Sequence, residues 1–260
     1  MKLGLSSAAF YGRMETDDAA VHVSHLPLDT CEVFLETASE YTLPFAEGLR
    51  HALGAFPVAS VHPMGTQFES QLFGKSARQI SDAFRVFESV CAAGEALGAS
   101  YYVFHGPFSV HEHLPPARIY CLEERFAQLK DIAARHHLTI LWETVSWCSI
   151  ASPADAESLL QRIPDAEFVL DIKQMHQANI DPFDMLSVLG HRVSHLHLLD
   201  WTAAGQLVLP GQGCFDFPRL AQVLADIGYD GALILEPYAR QTEDESLLLE
   251  SIAYLRRVFF

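Results

Sequence analysis

The sequence predicts an α/β fold, a single (β/α)8 barrel formed by residues 1–260. Three observations support this prediction: 50% of the residues are hydrophobic, short β-rich apolar runs recur eight times, and helix-length amphipathic segments lie between most of them. Alternating strands and helices build a parallel sheet, and eight such units close a barrel. An open doubly wound sheet is the alternative, but neither G-x-G-x-x-G nor G-x-x-x-x-G-K-[ST] follows the first strand.

The eight predicted strands are short runs rich in hydrophobic and β-branched residues. They are "KLGLS" (2–6), "CEVFLE" (31–36), "VASVH" (58–62), "YYVFH" (101–105), "TILWE" (139–143), "FVLDI" (168–172), "VSHLHLL" (193–199) and "ALILE" (232–236). Helices are clearest over 76–98 and 117–137, where apolar residues recur every three or four positions. Ser76 fits a helix N-cap and Gly98 a C-terminal stop, whereas segment 11–29 is weakly patterned and fits irregular structure.

Charge and cysteine content exclude several classes of partner. The chain has 33 acidic and 17 basic residues, a formal net charge of -16, and only four lysines. Binding to nucleic acid or to anionic membranes needs a basic surface, so neither is expected. The five cysteines are scattered without a C-x-x-C pair, which is typical of reduced thiols, and no apolar run is long enough to span a bilayer. We therefore expect a soluble cytoplasmic protein.

Six consecutive predicted strands, the third to the eighth, finish at or near a histidine or an acidic residue. These residues are His62, His105, Glu143, Asp171, His197 and Glu236. The carboxyl ends of barrel strands meet at one face, where active sites are built, so we expect the six side chains to converge. The residues two positions earlier are small or apolar except for His195, as expected for side chains that fill a barrel. Trp142, of opposite parity, should lie under the helices.

Converging carboxylates predict a metal ion, because they repel one another and lose hydration unless a cation neutralises them. Glu143, Asp171, His197 and Glu236 offer three oxygen ligands and one nitrogen ligand. This set favours Mn²⁺ or Mg²⁺, with Co²⁺, Fe²⁺ and Zn²⁺ also open. His62 and His105 could orient substrate, transfer protons or bind a further metal ion.

In its motifs the chain resembles the xylose-isomerase-like barrel superfamily, which contains sugar and sugar-phosphate isomerases and epimerases and the endonuclease IV enzymes. The resemblance covers nearly the whole chain. It rests, in order, on "VHPMG", "VFHGP", "LWETVSW", "VLDIKQ", "HLHLLD", the "LPGQGCFDF" loop at 209–217, and "LILEPY".

The resemblance to the ketose epimerases implies one divalent metal ion, bound by Glu143, Asp171, His197 and Glu236. It also implies that Glu143 and Glu236 transfer protons on opposite faces of the substrate. A metal chelated by a ketose carbonyl and the neighbouring hydroxyl stabilises the ene-diolate that forms when the α-proton leaves. The expected function is isomerisation or epimerisation of a small sugar or sugar phosphate, with manganese the preferred metal.

Two alternatives remain at this point. Endonuclease IV enzymes use three zinc ions, but Gln174 stands where they have a histidine, the nearest imidazole is His176, and 200–217 contains no histidine. The acidic charge also disfavours that activity. Gln174 departs from many sugar epimerases too, which have a substrate-contacting histidine there. The second alternative is a barrel that binds a sugar without turnover.

Several residues near the strand ends are candidate substrate contacts. Lys173 follows Asp171 by two residues and would point to the same side, either to a substrate oxygen or to a nearby acid. Arg240 and the "PGQG" turn (210–213) lie where barrels often bind phosphate. The candidate set is His62, His105, Lys173, Gln174, His176, Trp147 and Arg240. Of the acids of the second strand, we expect Glu36 to reach the barrel mouth more readily than Glu32.

The end of the chain, "RRVFF", is rich in aromatic and basic residues. It could form a contact in a homo-oligomer or pack the last helix onto the barrel.

Overall fold

The structure is a computed structural model that describes residues 1–260. Eight parallel strands form a closed barrel, which confirms the predicted fold. They are β1 (Lys2–Ser6), β2 (Thr30–Leu35), β3 (Val58–Pro63), β4 (Tyr101–Phe104), β5 (Thr139–Glu143), β6 (Glu167–Asp171), β7 (Val193–Leu198) and β10 (Ala232–Leu235). β10 pairs with β7 and β1 and so closes the barrel. A small antiparallel ribbon, β8 (Asp200–Trp201) and β9 (Leu207–Val208), follows β7.

Helices alternate with the strands and cover the outside of the barrel. They are α1 (Thr16–Ser24), α2 (Leu43–Leu53), α3 (Glu69–Leu72), α4 (Ala77–Leu97), α5 (Leu122–Arg135), α6 (Pro153–Arg162), α7 (Ile172–Gln177), α8 (Pro182–Leu189), α9 (Phe217–Asp226) and α10 (Glu245–Phe259). Gly98 ends α4 in the left-handed region, as expected of a C-terminal glycine, whereas the Ser76 side chain makes no cap hydrogen bond. None of the helices is both long and apolar enough to cross a membrane.

The expectation of irregular structure over 11–29 was wrong, because α1 lies within this segment. Two aspartates occupy its first turn, where the positive end of the helix dipole favours them. Its buried face consists of Thr16, Ala19, Ala20 and Val23. These mostly small side chains give a weak hydrophobic period, which is why the sequence pattern did not reveal the helix.

The strands of the barrel separate two packed regions, one between the sheet and the helices and one inside the barrel. A large hydrophobic core lies between sheet and helices and includes Trp142, whose ring packs against Phe104 at a centroid distance of 4.7 Å. A small apolar cluster of Val103, Leu141 and Val169 fills part of the barrel interior, as the strand alternation predicted.

The strand register aligns the polar side chains at the barrel mouth. Asp171 of β6 pairs with His197 of β7, and His197 pairs with Ile234 of β10, two residues before Glu236. At the C-terminus, Phe259 is buried and Phe260 is 58% exposed, so the terminal aromatic pair is divided between the core and the surface.

Candidate metal and proton-transfer site

The residues that end the barrel strands converge on one buried site. Glu143, Asp171, His197 and Glu236 can each direct one ligand atom to within 4.8 Å of the others, and all four side chains are buried. His62, His105 and Glu143 form a second such group that shares Glu143. These residues are far apart in the sequence, and they meet at one face of the barrel as predicted.

His197 lies at the centre of the four-residue group. Its Nδ1 atom is 3.0 Å from Glu143 Oε1, 3.5 Å from Glu236 Oε2 and 3.9 Å from Asp171 Oδ2. We call Glu143, Asp171 and Glu236 the outer carboxylates. They lie at the ends of β5, β6 and β10 and face the same imidazole nitrogen.

Glu32 lies deeper in the barrel and forms an inner layer with Ser60 and His195. Its Oε2 atom accepts a hydrogen bond from Ser60 Oγ at 2.8 Å and lies 3.3 Å from His195 Nε2. The same oxygen is 3.1 Å from His197 Nε2, and Oε1 is 3.2 Å from His62 Nδ1. Glu32 therefore orients two of the imidazoles that face the outer carboxylates, His62 and His197.

We expected Glu36 to reach the barrel mouth more readily than Glu32, and the structure shows the opposite. Glu32 is fully buried among the site residues, whereas Glu36 is only half-buried and its backbone N–H donates to Glu40 Oε2 at 2.5 Å. The reason is that β2 ends at Leu35, so the strand alternation that would turn Glu36 inward stops before it.

Neighbouring cationic groups hold two of the outer carboxylates, Glu143 and Glu236, in the ionised form. Burial raises the pKa of Glu143, but its contacts with His105 and His197 outweigh burial and leave the pKa well below its usual value. Burial likewise opposes ionisation of Glu236, yet the charges of Lys173 and His197 lower its pKa to about 2. Both groups are therefore anionic near neutral pH.

The pKa values of Asp171 and His62 are both raised. Burial raises the pKa of Asp171 to about 7, with Lys173 opposing this shift and the charges of Glu236 and Glu143 adding to it. Burial disfavours charge on His62, but Glu32, Glu236 and Glu143 outweigh burial and raise its pKa to about 10. The site therefore contains a cationic imidazole between ionised acids.

The outer carboxylates fit a divalent metal ion. Glu143 Oε2 and Asp171 Oδ2 are buried without a hydrogen-bond partner, although His105 Nε2 lies 3.0 Å from the former. Buried carboxylate oxygens without donors are stabilised by a cation. Three carboxylates and one imidazole form a donor set that Mn²⁺, Mg²⁺ and related ions accept.

A cavity of about 800 Å³ opens above this site, and Glu143 and Glu236 line it. Six of the seven predicted substrate contacts also line it: His62, His105, Lys173, Gln174, Trp147 and Arg240. At its rim, Tyr11 is 51% exposed, Trp147 45% and Tyr238 42%. The cavity therefore has a charged floor and an aromatic rim.

His176 does not line the cavity. Its ring stacks on Trp201 at a centroid distance of 4.1 Å, in a separate depression that also contains Phe183 and Arg219. The chain becomes helical at Ile172, directly after Asp171, so residues further along turn away from the barrel mouth. Trp201 lies in the same separate depression.

Gln174 supports the start of α7. Its backbone N–H donates to Asp171 Oδ1 at 2.9 Å, and its side-chain Oε1 accepts from Ser146 Oγ at 2.9 Å. The Asp171 carboxylate thus caps α7 through one oxygen and turns the other toward His197.

Sequence reasoning missed Glu69, a fully buried acid in α3. Its carboxylate accepts hydrogen bonds from Tyr102 Oη at 3.1 Å and from the Gly106 N–H at 3.1 Å. Burial raises the pKa of Glu69 to about 7. Glu69 is not at the end of a strand, so the pattern that revealed the other acids could not reveal it.

The family described as xylose isomerase-like TIM barrel matches residues 18–258. The chain belongs to this family.

Relatives in sequence that are more than 30% identical match about a third of the chain. The uncharacterized protein Rv0498 of Mycobacterium tuberculosis is 34% identical over 97 residues, which is 35% of this chain and 35% of that protein. A D-psicose 3-epimerase of Enterocloster bolteae is 31% identical over 75 residues, 29% of this chain and 24% of that enzyme. The match to Rv0498 therefore spans about a third of its length, whereas the uncharacterized protein ML2432 of Mycobacterium leprae is 25% identical over 98% of this chain and 97% of that protein.

Solved structures match the whole chain in fold. A D-psicose 3-epimerase crystallised with D-fructose has a TM-score of 0.80 at 16% identity, covering 100% of this chain and 99% of that one. The 3-keto-D-glucoside 4-epimerase YcjR from E. coli scores 0.77 at 17% identity, covering 99% of each chain. The zinc-containing IolI protein scores 0.76 at 17%, covering 100% and 99%. The structural neighbours thus include sugar epimerases.

Proposed function

We propose that this protein is a divalent-metal-dependent isomerase or epimerase of a small sugar or sugar phosphate. One observation carries the proposal: Glu143 and Glu236 line the same cavity, face His197 Nδ1 at 3.0 and 3.5 Å, and so flank one potential metal position. The sugar epimerases among the structural neighbours support a carbohydrate substrate.

Glu143, Asp171, His197 and Glu236 would bind the metal ion, with Mn²⁺ preferred. The bound cation would withdraw electron density from a ketose carbonyl and its neighbouring hydroxyl, which makes the adjacent C–H acidic. His197 is held in place for this role by Glu32, which lies 3.1 Å from its second nitrogen.

Glu143 and Glu236 would exchange the substrate proton. One carboxylate removes it from the carbon next to the carbonyl, and the other returns a proton, on the opposite face in an epimerisation. His62 lies between them, with Nε2 3.6 Å from Glu143 Oε2 and Nδ1 3.5 Å from Glu236 Oε1. Its two nitrogens can therefore pass a proton to either acid.

The rest of the cavity would bind the remainder of the sugar. Trp147 lies beside His105, with the two ring centroids 5.6 Å apart, and offers an apolar surface for a sugar face. Arg240 is exposed at the cavity wall and could bind a phosphate ester. Lys173 and Gln174 complete the polar wall. Comparing turnover of a ketose with that of its phosphate ester tests the role of Arg240, and equal turnover contradicts it.

Metal content is the first test of this function. Protein purified without chelator or nickel resin should contain about one Mn²⁺-like ion per chain, and the Glu143→Gln, Glu236→Gln double variant should lose it. The wild type should then exchange a carbon-bound proton of some ketose, ketose phosphate or 3-keto-glycoside with D2O. Several zinc ions per chain would instead favour a metal-dependent phosphodiesterase. Tight sugar binding without exchange would indicate a non-catalytic binding barrel.

A further inference from the structure

We propose that Lys173 is a built-in counter-cation of the metal site, which neutralises Glu236 and Asp171 in the metal-free protein and weakens the binding of divalent ions. This inference rests on the metal site of the proposed function. It goes further, because it proposes that one residue, Lys173, controls how tightly the site binds its metal ion.

The Lys173 ammonium contacts the same oxygens that would bind the metal. Nζ lies 2.6 Å from Glu236 Oε2 and 3.5 Å from Asp171 Oδ2. These two oxygens are also the ones that face His197 Nδ1, at 3.5 and 3.9 Å. A metal ion bound between the carboxylates and His197 would therefore share these ligands with an ammonium group.

Burial and several contacts fix the Lys173 side chain in this position. Its side chain is nearly fully buried, whereas the other three lysines are at least partly exposed. Nζ is also 3.4 Å from the backbone carbonyl oxygen of Glu236 and 4.9 Å from the centroid of the Tyr238 ring. Both partners follow β10, so the loop after the last strand encloses the ammonium group.

The charges in the site explain why Lys173 should weaken the binding of a metal ion. The three outer carboxylates carry three negative charges when ionised, and Lys173 offsets part of this charge through its contacts with Glu236 and Asp171. In the metal-free protein the same ammonium leaves fewer buried charges uncompensated. Repulsion between ammonium and metal at this short range then weakens metal binding, because Coulomb energy is large away from bulk water.

The test uses Lys173→Met, which keeps an unbranched side chain of similar length and removes its charge. Lys130→Met is the matched control, since it changes net charge equally at a partly exposed lysine paired with Asp165 at 2.6 Å. Chelator-treated proteins are titrated with Mn²⁺ by calorimetry and melted with and without Mn²⁺. We expect Lys173→Met to bind Mn²⁺ at least about tenfold more tightly than wild type, and the control to match wild type.

The melting curves provide a second readout. Metal-free Lys173→Met should unfold at a lower temperature than wild type, and Mn²⁺ should raise its melting temperature more than that of wild type. Lys173→Arg, which keeps the charge, should stay near the wild-type affinity and serves if the methionine variant does not fold.

The outcomes separate this inference from the proposed function. Equal or weaker Mn²⁺ binding by Lys173→Met, with wild type binding normally, overturns the counter-cation role and leaves the metal site standing. Binding by Lys173→Met but not by wild type supports the inference strongly. The absence of Mn²⁺ binding in every variant overturns both proposals.

Discussion

The inner layer and the outer carboxylates are both buried polar groups of one barrel, yet they differ in how their oxygens are satisfied. Both oxygens of Glu32 have polar partners within 3.3 Å, namely Ser60 and three imidazoles. Glu143 and Asp171 each keep one oxygen without a hydrogen bond. A saturated buried acid fixes geometry, whereas an unsaturated one is available to a ligand.

His62 and His197 connect the two regions. Each places one ring nitrogen near Glu32 and the other near an outer carboxylate. An imidazole held in this way has a fixed orientation, which is the usual function of a residue behind a metal ligand. The difference between the regions predicts that substitutions in the outer one reduce turnover and those in the inner one reduce stability.

The largest effect is expected for the outer carboxylates. Glu143→Gln and Glu236→Gln each keep the size of the side chain but remove the group that accepts the proton, so kcat should fall about 10³-fold. Circular dichroism spectra should show that both variants keep the fold. If both variants retain turnover on the substrate found by proton exchange, the two-carboxylate mechanism is wrong.

For the inner layer the expected loss is in stability. Glu32→Gln removes the charge that faces His62 and His197, and breaking a buried ion pair from one side costs about 3 kcal/mol. Urea unfolding should show this difference. Glu112→Gln, whose partner Arg118 and own side chain are both exposed, is the control and should change stability far less. Equal stability of the two variants would contradict the structural role of Glu32.

Glu69 differs from Glu143 and Glu236 because burial outweighs both the charge of His105 and the hydrogen bonds to its carboxylate. Its pKa, raised to about 7 by burial, lies above the usual value of 4.5 for the unfolded chain. The neutral form is therefore favoured by folding: this contribution, about 3 kcal/mol, is complete below pH 4.5 and is lost as pH rises to 7. Glu69→Gln should flatten that part of the urea stability profile. An unchanged profile would mean that Glu69 is ionised in the folded state.

The sequence predicted the fold and the outer carboxylates because both follow from strand alternation. Every predicted strand boundary lies within one residue of the observed one, and the strand-end acids converge as a barrel requires. For Lys173 the sequence left a substrate oxygen and a nearby acid open, and the structure pairs it with Glu236 and Asp171. Glu69 could not be predicted, because its position depends on how the chain folds after a strand ends. α7 begins at Ile172, and from there helical spacing replaces strand spacing.

His176 lies beyond the point where helical spacing replaces strand spacing, and its substitution is expected to have the smallest effect on activity. It follows Asp171 by five residues, but in α7 it stacks on Trp201 outside the cavity. His176→Ala should leave kcat and KM within about twofold of wild type and lower stability by about 1 kcal/mol through the lost ring contact. Trp147→Ala, which truncates a ring on the cavity wall, should instead raise KM. A large rise in KM for His176→Ala would mean that α7 turns toward the substrate when the site is loaded.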